Sequence, residues 1–244
     1  MEIHKSTAVL IVIIGNPGYE SCKTVLDAVK EAVMRLVPSC RLYHTFAVRG
    51  IRQKTNGQKT NDVKEVLDQI LKDGVLSLLV QPVYLMHGLE YGNIKKELRQ
   101  YEHAFQRMVL GEPLLAAEAD FDAVGKALAE RTAGYDDQAT AVCFVGHGNE
   151  LDGSNVYAKM QQKLAAAGCK NYYIGTIKGE PSLQTMIKAL HQAGSYQRVV
   201  LYPFMTAVGS HVYRDMAGVQ SGSWKSVLEQ EGYEVVCVLE GMGQ

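Results

Sequence analysis

The sequence has few cysteines and no recognisable cysteine motif. Its five cysteines are scattered along 244 residues, are odd in number and never occur with Cys-x-x-Cys spacing. These features argue against the disulfide framework of a small secreted domain. We therefore expect reduced thiols that fill the core of a cytoplasmic protein.

The sequence also has no large excess of one charge sign and no long hydrophobic run. The formal net charge is −1, and no five like charges occur in succession, which argues against a general affinity for nucleic acid or for membrane surfaces. The first apolar run, residues 8–14, is too short to cross a bilayer and lacks the basic segment and the small-residue cleavage site of a signal peptide. We interpret it as the first strand of the fold.

The chain does contain a regular alternation of apolar runs and amphipathic segments. Hydrophobic residues make up 47% of it, enough for the packed core of one large domain or of two small ones. In the first half, apolar runs predict strands at residues 8–14, 41–47 and 75–80, with a further apolar piece near 113–116. Apolar stripes at helical spacing predict helices at about 25–37, 63–71, 90–108 and 118–131.

The second half repeats this order of elements. Strands are predicted at residues 139–145, 171–177, 197–202 and 234–239, and helices at 154–167, 182–193 and 224–231. Strands that alternate with helices of this length form right-handed βαβ units with parallel strands. We therefore predict an α/β fold with two lobes, residues 1–132 and 139–244, each built on a parallel four-stranded sheet.

A histidine follows the most apolar of the predicted strands. Residues 141–145, AVCFV, are typical of a central strand covered on both faces, and Gly146-His147-Gly148 comes directly after them. The glycines permit a sharp turn that leaves the imidazole at the carboxyl end of the strand, where open α/β sheets bind ligands. Alone this tripeptide is weak evidence, because loop histidines with a structural role are common.

The two halves also match at the loops that follow their strands. IIGNPG aligns with FVGHGN, AVRGI with TIKGE, and PVYLMHGLE with PFMTAVGSH. In the second half these loops offer a possible ligand set: His147, Glu180 and His211. At the matching positions the first half has a different set: Asn16, Ile51 and Glu90. Because such loops converge on one edge of a sheet, we expect the two imidazoles and the carboxylate to meet and to suit a divalent metal such as cobalt, iron, nickel or zinc.

The candidate ligands also have simpler structural interpretations. His147 and His211 could each cap a turn or a helix. Glu180 and Glu90 could be the first-turn acids that a helix dipole favours, although Glu90 could equally serve as a second carboxylate across a cleft.

The remaining candidates lie in loops of the first half. Tyr84, Leu85 and Met86 either form the walls of a site for a flat hydrophobic ligand or pack in the core. Arg49 either meets a ligand carboxylate or is simply solvated.

Four segments carry a resemblance to a known family: FVGHGN, IGTIKGEPS, YPFMTAVGSHVYRDMAG and LVQPVYLMHGLEY. They resemble the class II, anaerobic cobalt chelatases that act on sirohydrochlorin in cobalamin biosynthesis, and the likeness covers nearly the whole chain. The resemblance implies the chelatase fold, two Rossmann-like lobes around a cleft. It also implies insertion of Co(II) into the tetrapyrrole with release of two pyrrole protons, without an organic cofactor, by a protein that could form a homo-oligomer.

The resemblance further implies residue roles. His147, Glu180 and His211 would bind the metal, with Glu90 on the opposite wall. From the needs of the reaction we hypothesise a catalytic set of His147, His211 and Glu90, in which one of the two histidines, His147 in preference to His211, accepts a pyrrole proton near neutral pH. We also expect the macrocycle to contact four loop residues: Tyr84, Leu85, Met86 and Arg49. Iron insertion, a non-catalytic tetrapyrrole or metal carrier, and a two-His-one-carboxylate iron oxygenase are the alternative functions.

Overall fold

A computed structural model describes residues 6–47, 62–135, 137–148, 155–194 and 196–243. The chain divides into two compact units, one ending at Ala116 and the other running from Ala117 to Met242, with the last two residues assigned to the first unit. Within the described ranges, no helix combines the length and the apolar character needed to cross a bilayer.

The first unit is a parallel sheet covered by helices on both faces. Its strands are β1 (Thr7–Ile14), β2 (Arg41–Ala47), β3 (Ser77–Val83) and β4 (Arg107–Leu110), in the order β2-β1-β3-β4. Its helices are α1 (Glu20–Leu36), α2 (Val63–Lys72) and α3 (Leu89–Arg99). Alternate residues of β1 enter two separate cores: Leu10 and Val12 pack with α2 and α3, whereas Ile11 and Ile13 pack with α1. This double burial explains why the run is apolar throughout.

The second unit has the same architecture with one additional helix. Its strands are β5 (Thr140–Gly146), β6 (Tyr172–Thr176), β7 (Arg198–Pro203) and β8 (Glu234–Cys237), in the order β6-β5-β7-β8. Its helices are α4 (Glu118–Thr132), α5 (Val156–Ala166), α6 (Leu183–Ala193) and α7 (Trp224–Gln230). All seven residues of the central strand β5 are buried. The predicted α/β class, with two four-stranded parallel sheets and an internal repeat, is confirmed.

One predicted helix was too long. The spacing of apolar residues extends the predicted helix over 90–108, but α3 ends at Arg99 and β4 begins at Arg107. Tyr101 and Phe105 lie in the turn that joins α3 to β4, and both side chains are buried in the core of the unit. Their spacing therefore resembles that of a helix although the segment is not helical. The apolar piece near 113–116 is not a strand; two of its amide groups, those of Leu114 and Leu115, donate to carbonyls of the loop after β3.

The division into units also differs from the predicted lobes, because α4 belongs to the second unit. Lys163 on α5 forms ion pairs with Glu118 and Asp122 of α4, with the Lys163–Asp122 pair at 2.8 Å. The hydroxyl groups of Thr132 and Tyr172 lie 2.8 Å apart in the interior. An amphipathic stripe shows that a helix has a buried face but does not specify the sheet that covers it.

The buried Thr132–Tyr172 contact predicts a site-specific loss of stability. Thr132→Val removes the hydroxyl beside Tyr172 and should lower the free energy of unfolding by about 1 to 3 kcal/mol, as for other buried hydrogen bonds. Thr24→Val is the matched control, since the Thr24 hydroxyl also bonds the carbonyl four residues back but is exposed. It should cost less than about 0.5 kcal/mol. Equal losses in urea unfolding would show that the Tyr172 contact does not stabilise the second unit.

Candidate functional site

His147 lies immediately beyond the carboxyl end of β5 and is half-buried. Its Nδ1 atom is 2.8 Å from the carbonyl oxygen of Gly148. A carbonyl oxygen only accepts hydrogen bonds, so Nδ1 carries the proton and donates it. The neutral ring is therefore the tautomer with its lone pair on Nε2. In this tautomer Nε2 can bind a metal ion or accept a proton.

The backbone at His147 is held by the loop that follows β6. The amide of Lys178 donates to the carbonyl oxygen of His147 at 3.0 Å, and the amide of Ile177 donates to that of Gly146 at 2.9 Å. Gly148 has a φ of +76°, and a Cβ atom at this position would overlap the carbonyl oxygen of Lys178. The two loops can approach this closely only because position 148 has no side chain.

His211 comes from the segment that follows β7, the direct neighbour of β5 in the sheet. It directly precedes a π-helical turn, Val212–Met216, in which the amide of Ala217 donates to the carbonyl oxygen of Val212 at 2.9 Å. Single π-helical turns occur often at functional sites. The imidazoles of His147 and His211 meet edge to face, with ring centroids 4.7 Å apart and an interplanar angle of 84°.

Asp215 supports the His211 ring. Its Oδ2 atom is 2.6 Å from Nδ1 of His211. Nε of Arg214 donates to Oδ1 at 2.7 Å, and a terminal guanidinium nitrogen donates to Oδ2 at 3.1 Å. The Arg214 hydrogen bonds, with a further contribution from His211, lower the pKa of Asp215 to about 2 although partial burial opposes the shift. A carboxylate only accepts hydrogen bonds, so His211, like His147, has its proton on Nδ1.

Glu180 lies in the loop after β6 but points to other partners. Its Oε2 atom accepts hydrogen bonds from the backbone amide of Ser182 and from the hydroxyl of Thr185, both at 2.8 Å. These bonds, the amide of Ser182 first, lower the pKa of this exposed carboxyl. Within the described ranges no group of three or more His, Cys, Asp or Glu side chains is arranged to hold a metal ion. The structure thus brings the two histidines together and leaves Glu180 at the start of α6.

The first-unit candidates lie around the end of β3. Glu90 is in the first turn of α3 and is half-buried, as are Leu85 and Met86. Tyr84 is only 2% exposed, within the core that packs against α2 and α3. The alternation of β3 continues one residue past Val83 and turns the Tyr84 ring inward, so this placement does not support its predicted contact with a macrocycle. Burial raises the pKa of its phenol. Arg49 lies outside the described residues.

The loop match that set Glu90 against His211 is displaced from the strand register. If Asn16 corresponds to His147, Val12 corresponds to Cys143. Pro82 faces Val12 across β1 and β3, but Pro203 faces Val145 across β5 and β7, two residues beyond Cys143. Glu90 and His211 nevertheless each stand at the start of the first helical segment that follows the third strand of their unit.

Two supporting residues were missed in the sequence. Asp215 follows His211 by four positions, a spacing that brings side chains together on a helical turn, and this was the available signal. Tyr157 accepts a hydrogen bond from the amide of Gly148 at 3.1 Å and packs where a side chain at position 146 would lie. No local pattern marks Tyr157, because its role depends on the position of α5 relative to β5.

The close approach at Gly148 predicts an unequal response of two glycines to the same substitution. Gly148→Ala should destabilise more than Gly168→Ala, because both residues have positive φ but only Gly148 has a neighbour within 4 Å. The left-handed conformation costs an Ala about 1 to 2 kcal/mol at either position. The overlap with Lys178 should add about 1 to 3 kcal/mol at position 148. Equal losses of the free energy of unfolding in urea titrations would contradict this account of the loops.

Comparison with known proteins relates the chain to cobalt chelatases. The family model described as cobalt chelatase (CbiK) matches residues 7–244. The chain is 25% identical over 241 residues to the sirohydrochlorin cobaltochelatase of Salmonella typhimurium, covering 97% of this chain and 90% of that protein. It is 29% identical over 234 residues to the sirohydrochlorin cobaltochelatase CbiKC of Nitratidesulfovibrio vulgaris, covering 94% and 81%.

Solved structures share the fold. The chain is similar to the sirohydrochlorin chelatase SirB from Bacillus subtilis subspecies spizizenii in complex with cobalt, with a TM-score of 0.61, 13% identity and coverage of 96% of this chain and 88% of that one. It is also similar to SirB from Bacillus subtilis with Fe3+, with a TM-score of 0.64, 14% identity and coverage of 95% and 87%. Since the family model spans almost the entire sequence, this protein belongs to the cobalt chelatase (CbiK) family.

Proposed function

We propose that this protein inserts Co(II) into sirohydrochlorin, in cobalamin biosynthesis, and releases two pyrrole protons. Family membership supports the chemistry, and the names of both curated relatives support the tetrapyrrole substrate. The five cysteines, all of them within the described ranges, form no disulfide, which agrees with a reducing cytoplasm.

The pair of imidazoles is the observation that carries the proposed site. His147 and His211 lie in edge-to-face contact. In both rings Nδ1 donates a hydrogen bond, so the lone pair of each neutral ring is on Nε2. Neutral imidazole nitrogen is a suitable ligand for cobalt and other divalent first-row metals. Two such ligands leave several positions of the ion open, as transfer to a macrocycle requires, whereas a site with four protein ligands would hold the ion as a structural component.

Proton removal is the second requirement of the reaction. Each metal ion that enters the macrocycle replaces two N–H protons, so bases must stand close to the pyrrole nitrogens. We assign the first proton to Nε2 of His147 after this nitrogen has passed the metal ion to the macrocycle, because its single lone pair cannot bind the ion and a proton at the same time; an imidazole exchanges protons near neutral pH. Glu90 is the proposed carboxylate on the first unit, and Leu85, Met86 and Arg49 are the proposed macrocycle contacts there.

Glu180 is the proposed third metal ligand. Both of its described hydrogen bonds are accepted by Oε2, so a metal ion would be met by Oε1 or by a side chain that has left Ser182 and Thr185. Its low pKa keeps it ionised at neutral pH, as a ligand must be. Glu180 is exposed, which would allow its side chain to rotate away from Ser182 and Thr185.

Removing either imidazole should eliminate cobalt insertion. His147→Ala and His211→Ala should each lower kcat/KM by at least about a hundredfold, as expected for loss of a ligand or a proton acceptor. The assay follows the absorbance spectrum of sirohydrochlorin with Co(II), Fe(II) and Ni(II) supplied in turn. Thermal unfolding should stay close to that of the unaltered protein, since both side chains are only half-buried.

His191→Ala is the matched control for the histidine variants. His191 also pairs with a carboxylate, Glu231, at 3.3 Å, but it lies on α6 rather than at a strand end. This variant should retain insertion. Full activity of His147→Ala or His211→Ala would refute the proposed site. Stoichiometric binding of the tetrapyrrole without turnover in the unaltered protein would favour a carrier, and insertion of iron in preference to cobalt would favour a ferrochelatase-type function.

The role of Glu180 can be separated from its contribution to the start of α6. Glu180→Ala should raise the KM for cobalt at least tenfold, since even outer-shell changes at metal sites cost about 10- to 100-fold. Ser182→Ala removes the side chain that caps α6 through the amide of Thr185 and should lower the free energy of unfolding by about 1 kcal/mol. It should leave the KM for cobalt unchanged. Equal KM values in both variants would restrict Glu180 to capping.

A further inference from the structure

We infer that Asp215 is a positioning residue for His211: it fixes the imidazole orientation in which Nε2 receives the metal ion. The inference rests on the proposed function, because it assigns a task to a residue behind a proposed ligand. Asp215 itself is not proposed to touch cobalt or the macrocycle.

The contact between the two residues is short and well supported. Oδ2 of Asp215 lies 2.6 Å from Nδ1 of His211, and the two side chains are 25% and 30% exposed. A hydrogen bond to a carboxylate in such a partly dry position is stronger than a neutral one and more restrictive of ring rotation. Ligand histidines in metal proteins usually have a partner of this kind on the second ring nitrogen, which sets both tautomer and orientation.

The segment around Asp215 fixes the carboxylate from both sides. Val212 and Met216 of the π-helical turn are fully buried in the core of the second unit, which anchors the backbone on either side of Asp215. The guanidinium of Arg214 approaches both carboxylate oxygens, at 2.7 and 3.1 Å. Asp215 can therefore hold His211 at a defined angle instead of following its motion.

The two histidines differ in how they are supported. Nδ1 of His147 donates to a backbone carbonyl, that of Gly148, which no side-chain substitution removes. Nδ1 of His211 donates to a side chain, so its support can be deleted while the imidazole stays. If the orientation of His211 matters to metal binding, a change at Asp215 must alter cobalt affinity through His211 alone.

The test measures Co(II) binding and insertion in the full-length protein. Co(II) is titrated in the absence of tetrapyrrole and followed by its visible absorption bands, which gives a Kd independent of turnover. Asp215→Ala should weaken binding about 10- to 100-fold and raise the KM for cobalt in proportion, with a smaller change in kcat. Asp215→Asn keeps an oxygen acceptor of the same size and should restore most of the affinity lost in the Ala variant.

A double-mutant comparison tests whether Asp215 affects Co(II) affinity through His211. In a His211→Ala background, Asp215→Ala should cause no further loss of Co(II) affinity, because the two changes remove one interaction. The matched control is Glu231→Gln, which alters the described pair between His191 on α6 and Glu231, the residue that directly follows α7. This variant should leave Kd unchanged.

The outcomes separate this inference from the proposed function. If the unaltered protein inserts cobalt and His211→Ala does not, but Asp215→Ala binds Co(II) with unaltered affinity, Asp215 has only a structural role and the inference is wrong. An equal loss from Asp215→Ala with and without His211 would overturn it as well, because the effect would bypass the imidazole. If the unaltered protein neither binds nor inserts cobalt, the proposed function fails first.

Discussion

The contact between the imidazoles of His147 and His211 depends on the parallel pairing of β5 with β7. The two strands are adjacent in the sheet and run in the same direction, with Val145 facing Pro203 near their carboxyl ends. Residues that follow neighbouring parallel strands leave the sheet at one edge, although more than sixty positions separate these two in the sequence. The sheet supplies the proximity, and the tight loop at Gly148 and the π-helical turn after His211 supply the orientation.

The two units differ in the side chain at the tip of the loop that follows their first strand. Both units have the same strand order. At the position of His147 the first unit has Asn16, whose side-chain oxygen accepts a hydrogen bond from the amide of Gly18 at 2.8 Å and completes a turn. The same loop position thus holds a turn-forming side chain in one unit and the proposed ligand His147 in the other, which is why fold and function must be argued separately.

Secondary structure was predictable wherever an element had its own local signal. The seven predicted strands of β1–β3 and β5–β8 all correspond to observed strands. The signal was strongest in the central strands β1 and β5, where burial on both faces makes the run apolar almost throughout. Predictions were wrong where apolar spacing was ambiguous. Tyr101 and Phe105 extend a helical spacing beyond Arg99 while the chain already turns towards β4. The boundary between the units was displaced because α4 has a buried stripe whichever sheet it covers.

The sequence by itself determined the fold class, the repeat and the candidate ligands, since these follow from apolar periodicity and from residues at strand ends. Tertiary structure alone decided which candidates meet: His147 contacts His211, Glu180 accepts hydrogen bonds from residues at the start of α6, and Tyr84 is buried. It also introduced Asp215 and Tyr157 as supports. The physical reason is the range of the interactions. Periodicity and turn preferences act within a few residues, whereas the contact of His147 with His211 and the burial of Tyr84 are set by atoms that the folded chain brings together from distant positions.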